Sequence, residues 1–164
     1  MNEPAHNGPG RAGPLDMLRR VEDHAVLPSV VIERKVEWID TDAAGHHHHS
    51  AVQRWVDAAE TVLLQRRGVV DLFGRIPRVR YEVNYRDRLW FGQSVRIELA
   101  VGRVGEKSIR YDFRVSSGET VAADGHLFIA FAAPGEPKAV PWPPAVRAAL
   151  LDGGPQQPER LSDS

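Results

Sequence analysis

The sequence predicts an α+β fold in which an antiparallel sheet wraps around one long helix. Three features support this: an alternating segment comes first, a long amphipathic segment follows it, and four strand-like segments with short links come last. Because a sheet can bury one helix against one of its faces, this order is typical of a two-layer domain. A chain of 164 residues is long enough for one such domain with a sizeable core.

The first strand is predicted in residues 29–38, SVVIERKVEW, where apolar and charged side chains largely alternate. Residues 1–14 are rich in glycine, proline, asparagine and alanine, which predicts disorder. Residues 15–27 can form a short helix that Pro28 would end. We therefore predict a flexible N-terminal extension over residues 1–28, with a short helix possible inside it.

The long helix is predicted in residues 50–68, SAVQRWVDAAETVLLQRRG. Ser50 is the predicted N-cap, and Gly68 is the predicted residue just after the last turn. Steps of three and four residues place one apolar stripe along the helix, formed by Val52, Trp55, Val56, Ala59, Val62 and Leu63.

Four strands are predicted after the helix, and short turns join them. Two of the links, GE and SSGE, are typical of hairpins, which supports antiparallel pairing. Residues 145–151 can form a last short helix, and the polar tail over residues 152–164 is predicted to be disordered. The structured domain is thus predicted to cover residues 29–151, with its later strands in residues 76–86, 93–104, 107–116 and 120–131.

The composition narrows the class of protein. The formal net charge is −1 with both signs interspersed, which argues against a general nucleic-acid-binding surface. The chain has no cysteine, which excludes disulfides and thiolate zinc sites. It also has no apolar run long enough to cross a bilayer and no apolar signal segment at its start, so a cytoplasmic location without membrane contact is predicted.

The densest group of polar side chains lies directly before the long helix, in WIDTDAAGHHHHSAVQRWVDAAE, residues 38–60. Two aspartates, a glycine and four consecutive histidines occupy its first half. A metal site, the remnant of an affinity tag and a catalytic loop would each place histidines together. The neighbours of the histidine run must therefore decide between them.

This motif and the order of the elements resemble the hot-dog fold, and more narrowly the 4-hydroxybenzoyl-CoA thioesterase family of acyl-CoA thioesterases. In that family the first strand leads into a segment Asp-x-Asp-x-x-Gly, followed by a helix that carries Arg-Trp and acidic residues. Later come a strand opened by proline, a glycine turn before the third strand, and a Lys-Ser or Arg-Ser pair at the start of the fourth. The resemblance covers about residues 30–145 and rests on Asp40, Asp42, Gly45, Arg54, Trp55, Asp57, Pro77, Phe91, Gly92, Gln93, Lys107 and Ser108.

The resemblance implies the catalytic residues. Asp42 matches the family's catalytic carboxylate, which acts as nucleophile or general base, and His49 matches the residue whose backbone N–H holds the thioester carbonyl oxygen. The alternative for Asp42 is a turn aspartate that bonds only backbone donors. Asp40 is a candidate for a second acid, but it is expected instead to cap the turn and organise the loop. Glu60 is the second candidate for the catalytic group, because some relatives of this fold use a helical glutamate, although an ion-paired or solvated side chain is the simpler interpretation.

The resemblance also implies a substrate site. Gly45 matches the glycine that lets the chain turn into the helix, and Lys107 and Ser108 match a stretch that contacts the nucleotide of coenzyme A. Arginine forks suit phosphate oxygens, which makes several arginines further candidates for the same nucleotide. These are Arg86, Arg88, Arg103 and Arg110.

The four histidines are interpreted as part of an acyl pocket rather than a tag, because they lie inside the matched motif. In relatives this stretch walls the acyl group, a role that here falls to His46, His47, His48 and Ser50. Neighbouring side chains diverge, so at most two of the histidines can face one ion. A third ligand would have to come from Asp42, His126 or a partner subunit, and no metal is predicted.

The function that these residues imply is hydrolysis of an acyl thioester. A helix N-terminus offers unpaired N–H groups to the developing oxyanion, and an upstream carboxylate can attack the carbon or activate water. The expected substrate is an acyl-CoA or an acyl-carrier-protein thioester, with no metal or organic cofactor. The resemblance implies a homodimer with the site at the subunit boundary, paired again into a dimer of dimers. The alternatives are a hot-dog dehydratase or hydratase and a non-catalytic module that binds acyl thioesters or metabolites.

Overall fold

The computed structural model describes residues 26–161. The predictions for residues 1–25 and 162–164, which include most of the N-terminal extension and its short helix, lie outside the described residues. The strands are β1 (Ser29–Lys35), β2 (Arg78–Tyr85), β3 (Ser94–Val104), β4 (Ser108–Ser117), β5 (Thr120–Ala130) and β6 (Glu159–Arg160). The α-helices are α1 (His49–Arg66) and α2 (Pro144–Leu151), and 3-10 turns occur at Trp38–Asp40 and Val70–Leu72.

The strands form one sheet in the order β2-β5-β4-β3-β1-β6. Neighbouring strands pair antiparallel, except β1 and β6, which are parallel. The helix α1 packs across one face of this sheet. The α+β class, with an antiparallel sheet wrapped around one long helix, is therefore confirmed.

The apolar stripe of α1 attaches the helix to the sheet. All of its predicted residues are buried, and Trp55 has no exposed surface. They join the inward side chains of the strands, such as Ile97 and Tyr111, in one core. Full burial of an aliphatic or aromatic side chain of this size contributes about 1.5–3 kcal/mol, so the stripe is the main reason why α1 lies where it does.

The end of α1 is set by Gly68, as predicted. Gly68 has φ of 68°, and its N–H donates to the Gln65 carbonyl while the Val69 N–H donates to the Leu64 carbonyl, both at 3.0 Å. These two bonds satisfy carbonyls that a helix end leaves open, and glycine adopts the required left-handed conformation without steric cost. Within residues 26–161, no helix is long and apolar enough to cross a membrane.

The strand β1 ends at Lys35, earlier than predicted. The chain turns instead into the 3-10 turn Trp38–Asp40, where Glu37 and Asp40 form a reciprocal capping box between their side chains and backbone N–H groups. This turn directs the chain towards the start of α1.

The tail that was predicted to be disordered from Asp152 follows a defined path up to Leu161. Glu159 and Arg160 pair with β1, and the Arg66 guanidinium contacts the Glu159 carboxylate at 2.8 Å. The free backbone groups at the edge of β1 offer hydrogen-bonding partners that composition alone does not reveal. The prediction for this segment was therefore wrong up to Leu161.

The two ends of the sheet carry different predicted site residues. Lys35, at the end of β1, pairs with Ser94 at the start of β3. The β3–β4 hairpin lies at the other end of β3. Because a strand advances by about 3.3 Å per residue, the hairpin lies roughly 30 Å from the end that carries the loop after β1.

Candidate active site

The segment between the 3-10 turn and α1 forms a tight loop that holds Asp42. The Asp42 N–H donates to the His46 carbonyl at 3.0 Å, and the Gly45 N–H donates to the Asp42 carbonyl at 2.9 Å. Gly45 has φ of 83°, a conformation that residues with a side chain rarely adopt. The turn therefore explains the glycine, whereas contact between Gly45 and substrate stays a prediction.

The Asp42 carboxylate keeps one oxygen available. Its Oδ1 accepts from the Ala44 N–H at 2.8 Å. Its Oδ2 lies 3.9 Å from the His46 Nδ1, which is beyond hydrogen-bonding distance. The side chain is 32% exposed, so the carboxylate is partly shielded and still accessible. The interpretation as a turn aspartate accounts for Oδ1 and leaves Oδ2 unexplained.

Asp40 organises the loop, as expected. The residue is buried, and its carboxylate accepts from the Glu37 N–H and from the Arg54 guanidinium, both at 3.0 Å. Its carbonyl accepts from the His48 N–H at 2.7 Å. These bonds tie the 3-10 turn to the residue that precedes α1.

His46 and His47 pack against other parts of the fold. The His47 N–H donates to the Leu89 carbonyl at 2.7 Å, and the His47 Nδ1 accepts from the Leu89 N–H at 3.0 Å. Because it accepts from an N–H group, Nδ1 carries no proton and the buried ring is neutral. His46 is half-buried and meets Trp90 edge-on, with ring centroids 5.7 Å apart. His46 and Trp90 thus line the loop beside Asp42, whereas His47 presents little surface to a substrate.

His48 and His49 begin α1, and the structure corrects the predicted N-cap. His48 takes that position, because its Nδ1 accepts from the Ser50 N–H at 3.2 Å. The Ser50 hydroxyl instead contacts the His48 Nδ1 and accepts from Arg54 at 2.9 Å. A ring nitrogen can replace the usual side-chain oxygen because it is also an acceptor close to the backbone.

His49 places an unused donor at the start of the helix. It is the first residue of α1, and its backbone N–H has no acceptor within the described structure. The aligned peptide dipoles give this end of the helix a partial positive charge. Tyr85, which the sequence did not single out, donates its hydroxyl to the His49 carbonyl at 2.9 Å. A tyrosine on a strand carries no sequence signal for a contact this distant along the chain.

Glu60 lies in the interior, away from the loop surface. Its side chain is 3% exposed, and its Oε2 contacts the Arg78 guanidinium at 2.5 Å. Arg78 also contacts Asp57 at 2.7 Å. Burial raises the pKa of the Glu60 carboxyl, and Arg78 opposes that rise. The ion pair agrees with the simpler interpretation of Glu60, and a catalytic role for it stays a prediction.

One chain does not bring the predicted nucleotide contacts to Asp42. Lys107 and Ser108 belong to the β3–β4 hairpin, and Arg103 precedes it on β3. All three lie at the end of the sheet opposite the loop that holds Asp42. Their contact with the nucleotide stays a prediction.

Two of the other candidate arginines are already paired. Arg86 contacts Asp124, and Arg110 contacts Asp112 at 2.9 Å, so both have less charge free for a phosphate. Arg88 is exposed in the loop after β2.

The described residues also show no metal site. No three histidine, aspartate or glutamate side chains in these ranges are arranged to hold an ion.

The burial of His47 should make stability depend on pH. Burial lowers the pKa of His47 below its ordinary value of 6.5. As the pH falls, His47 is therefore protonated in the unfolded state at a higher pH than in the folded state. We expect stability to be full above about pH 6.5 and to fall as the pH drops through the folded-state pKa. Urea unfolding at several pH values should show a smaller decline for His47→Asn than for the unchanged protein. Equal declines would contradict this assignment.

Comparison with solved structures shows which folds are similar. A gentisyl-coenzyme A thioesterase is 26% identical, with a TM-score of 0.64 over 73% of this chain and 98% of that one. A 1,4-dihydroxy-2-naphthoyl-CoA thioesterase from Synechocystis is 20% identical, with a TM-score of 0.70 over 76% and 96% of the two chains. A mutant 4-hydroxybenzoyl CoA thioesterase, complexed with 4-hydroxybenzoyl CoA, is 17% identical, with a TM-score of 0.68 over 74% and 98%. The predicted hot-dog fold is confirmed.

Comparison with sequence families supplies the class of protein. A comparison with curated proteins gives no match. Residues 36–150, which include the Asp42 loop and most of the sheet, match the family described as thioesterase-like. This match covers well over half of the chain and confirms the predicted enzyme class, a thioesterase. The chain belongs to the thioesterase-like superfamily.

Proposed function

We propose that the protein hydrolyses an acyl thioester, with Asp42 as nucleophile or general base and the His49 N–H as the donor to the carbonyl oxygen. The observation that carries the proposal is that one short loop joins a carboxylate with a free oxygen to an unpaired helix N–H. A donor of this kind is worth about 3–4 kcal/mol in related acyl-transfer sites. Together the two groups supply a nucleophile or base for the acyl carbon and a donor for the negative charge on the carbonyl oxygen. Neither role requires a cofactor.

The proposed reaction can follow two routes. As nucleophile, the Asp42 oxygen bonds to the acyl carbon, the C–S bond breaks, the thiolate leaves and takes a proton, and water then hydrolyses the anhydride. As general base, Asp42 takes a proton from water while that water attacks the acyl carbon. In a single turnover in ¹⁸O-water, ¹⁸O found in the Asp42 carboxyl group would identify the first route, because water that attacks the Asp42 carbonyl of the anhydride leaves its oxygen there.

Thiol release across a panel of acyl-CoA and acyl-carrier-protein thioesters tests the proposal. The similar thioesterases are named for aromatic hydroxyacyl groups, and the His46 and Trp90 rings, which meet edge-on beside Asp42, would offer aromatic contacts to such a group. Aromatic acyl-CoA substrates are therefore the first to test. Hydration of crotonyl-CoA without thiol release would favour the hydratase alternative, and binding of a thioether analogue without turnover would favour a binding module.

We further propose that a homodimer completes the site. The strand β2 ends the sheet, so one of its edges has no partner strand in the described chain, and its residues Val79 and Tyr85 are 64% and 49% exposed. Such an edge is a ready surface for pairing with another strand. Two-fold pairing of β2 edges would set the Tyr85 end of one copy beside the Arg78 end of the other. The hairpin with Lys107 and Ser108 would then approach the partner's Asp42 loop.

A charge on the free edge is expected to disrupt this dimer. Val79→Lys should shift the mass measured by light scattering from at least two chains towards one, because it buries a charge in the pairing surface. Leu161→Lys is the matched control, since Leu161 is partly exposed beyond the opposite edge of the sheet. A single-chain mass for the unchanged protein would contradict the proposal.

Mixed dimers test whether the site is shared. Asp42→Asn is combined with a second variant that lacks the side chains of Arg103, Lys107 and Ser108. Each variant alone should be weakly active. Their mixed dimer should regain turnover, because one of its two sites would contain an intact Asp42 and an intact hairpin. Failure to regain any turnover would place both sets of residues in the same chain's site.

A further inference from the structure

Tyr85 links the edge strand to the first residue of the helix. It is the last residue of β2, and its hydroxyl donates to the His49 carbonyl at 2.9 Å. His49 is also the residue whose backbone N–H is unused at the helix start. One side chain therefore restrains the residue that carries the proposed oxyanion donor.

The contact between Tyr85 and His49 is surrounded by further contacts of the segment before α1. The His47 ring lies against Tyr85 and Trp55, with centroids 6.5 Å and 6.0 Å away. His47 is itself bonded to the Leu89 backbone through both its N–H and its ring. The chain is thus anchored to the loop after β2 just before α1 begins, and Tyr85 adds an anchor inside the first turn.

We propose that Tyr85 is a positioning residue, whose hydroxyl holds the first turn of α1 so that the His49 N–H points at the thioester carbonyl oxygen. This inference rests on the proposed function. The first turn of a helix lacks part of its internal hydrogen bonding and is prone to fray. A hydrogen bond weakens steeply when its donor is misaligned, so an external anchor on His49 preserves the strength of the oxyanion contact. Burial raises the pKa of Tyr85, which keeps the donating proton in place.

Tyr85→Phe tests the proposal because it removes only the hydroxyl. We expect kcat to fall roughly tenfold, since a preorganised donor acts mainly on the transition state. The KM and the affinity for a non-hydrolysable thioether analogue of the same acyl-CoA should stay within about twofold. Tyr81→Phe is the matched control on the same strand. The Tyr81 hydroxyl has no hydrogen-bond partner among the described residues and its ring stacks on Phe113, so kcat should not change.

Two further measurements separate failure of this inference from failure of the proposed function. Asp42→Asn, assayed on the same substrate, reports whether the Asp42 site is used at all. Full kcat in Tyr85→Phe together with an inactive Asp42→Asn would overturn the positioning role alone. If the unchanged protein cleaves no thioester in the panel, amide hydrogen exchange tests whether Tyr85 holds the first turn of α1. Tyr85→Phe should then speed exchange at Ser50 and Ala51, whose N–H groups donate to His48, and unchanged exchange there would overturn the inference.

Discussion

Replacement of Asp42 by asparagine is expected to lower kcat for thioester hydrolysis about 10²–10⁴-fold while the fold is retained. An amide can neither form the acyl anhydride nor take a proton from water. The Ala44 N–H can still donate to the amide oxygen, so the loop should keep its conformation. Thiol release at saturating and limiting substrate gives kcat and KM, and thermal unfolding checks the fold.

Asp71→Asn is the matched control for this substitution. Asp71 is an exposed aspartate in the 3-10 turn Val70–Leu72, after the far end of α1. Full turnover is expected for it. If Asp42→Asn also kept full turnover, the carboxylate would have no part in the reaction, and Glu60 would become the next residue to test.

Replacement of Arg78 by alanine is expected to lower the free energy of unfolding by about 3–5 kcal/mol at pH 8. The change leaves the Glu60 carboxylate buried without its counter-charge. The Glu60 Oε1 already has no hydrogen-bond partner in the described part of the chain, so Arg78 supplies most of the compensation for burial. Urea unfolding followed by tryptophan fluorescence measures the loss.

The pH dependence of this loss has a definite sign. Burial raises the pKa of Glu60 above its ordinary value of 4.5, so the folded state keeps the proton to a higher pH than the unfolded state. The stability that the protonated group contributes is full below about pH 4.5 and is lost as the pH rises through the folded-state pKa. Because Arg78 opposes the rise, its removal should widen this range. The effect of Arg78→Ala should therefore be larger at pH 8 than at pH 5.

The double variant Arg78→Ala with Glu60→Gln identifies the cause. It should recover much of the stability lost in Arg78→Ala, since a neutral amide costs far less to bury than an unpaired carboxylate. The same loss with and without Glu60→Gln would show that the ion pair is not responsible. The loss would then reflect other contacts of Arg78, such as the one with Asp57.

Local pattern predicted most of the fold. The stripe from Val52 to Leu63 could be recognised because an α-helix repeats every 3.6 residues, and every predicted member of it is buried. The turn at Gly68 could be recognised because few other residues adopt a left-handed conformation. The path of Glu159 and Arg160 could not be recognised from the sequence. Their pairing with β1 depends on an edge that forms only when the sheet forms.

The candidate site shows the same division. Asp42 and Gly45 could be chosen from a short motif, since a turn before a helix is a local structure. The roles of the four histidines could not be separated in this way. Their side chains are identical, and only the surrounding segments make His47 a buried acceptor from Leu89 and His48 the cap of α1.

The sequence by itself determined which segments are helix or strand, and it placed Asp42 a few residues before the start of α1, because periodicity and turn chemistry act between neighbours. The tertiary structure alone decided that Tyr85 reaches His49, that Glu60 faces Arg78, and that Lys107 lies at the far end of the sheet. These features join segments distant in the chain, and the packing of the sheet around α1 sets their distances.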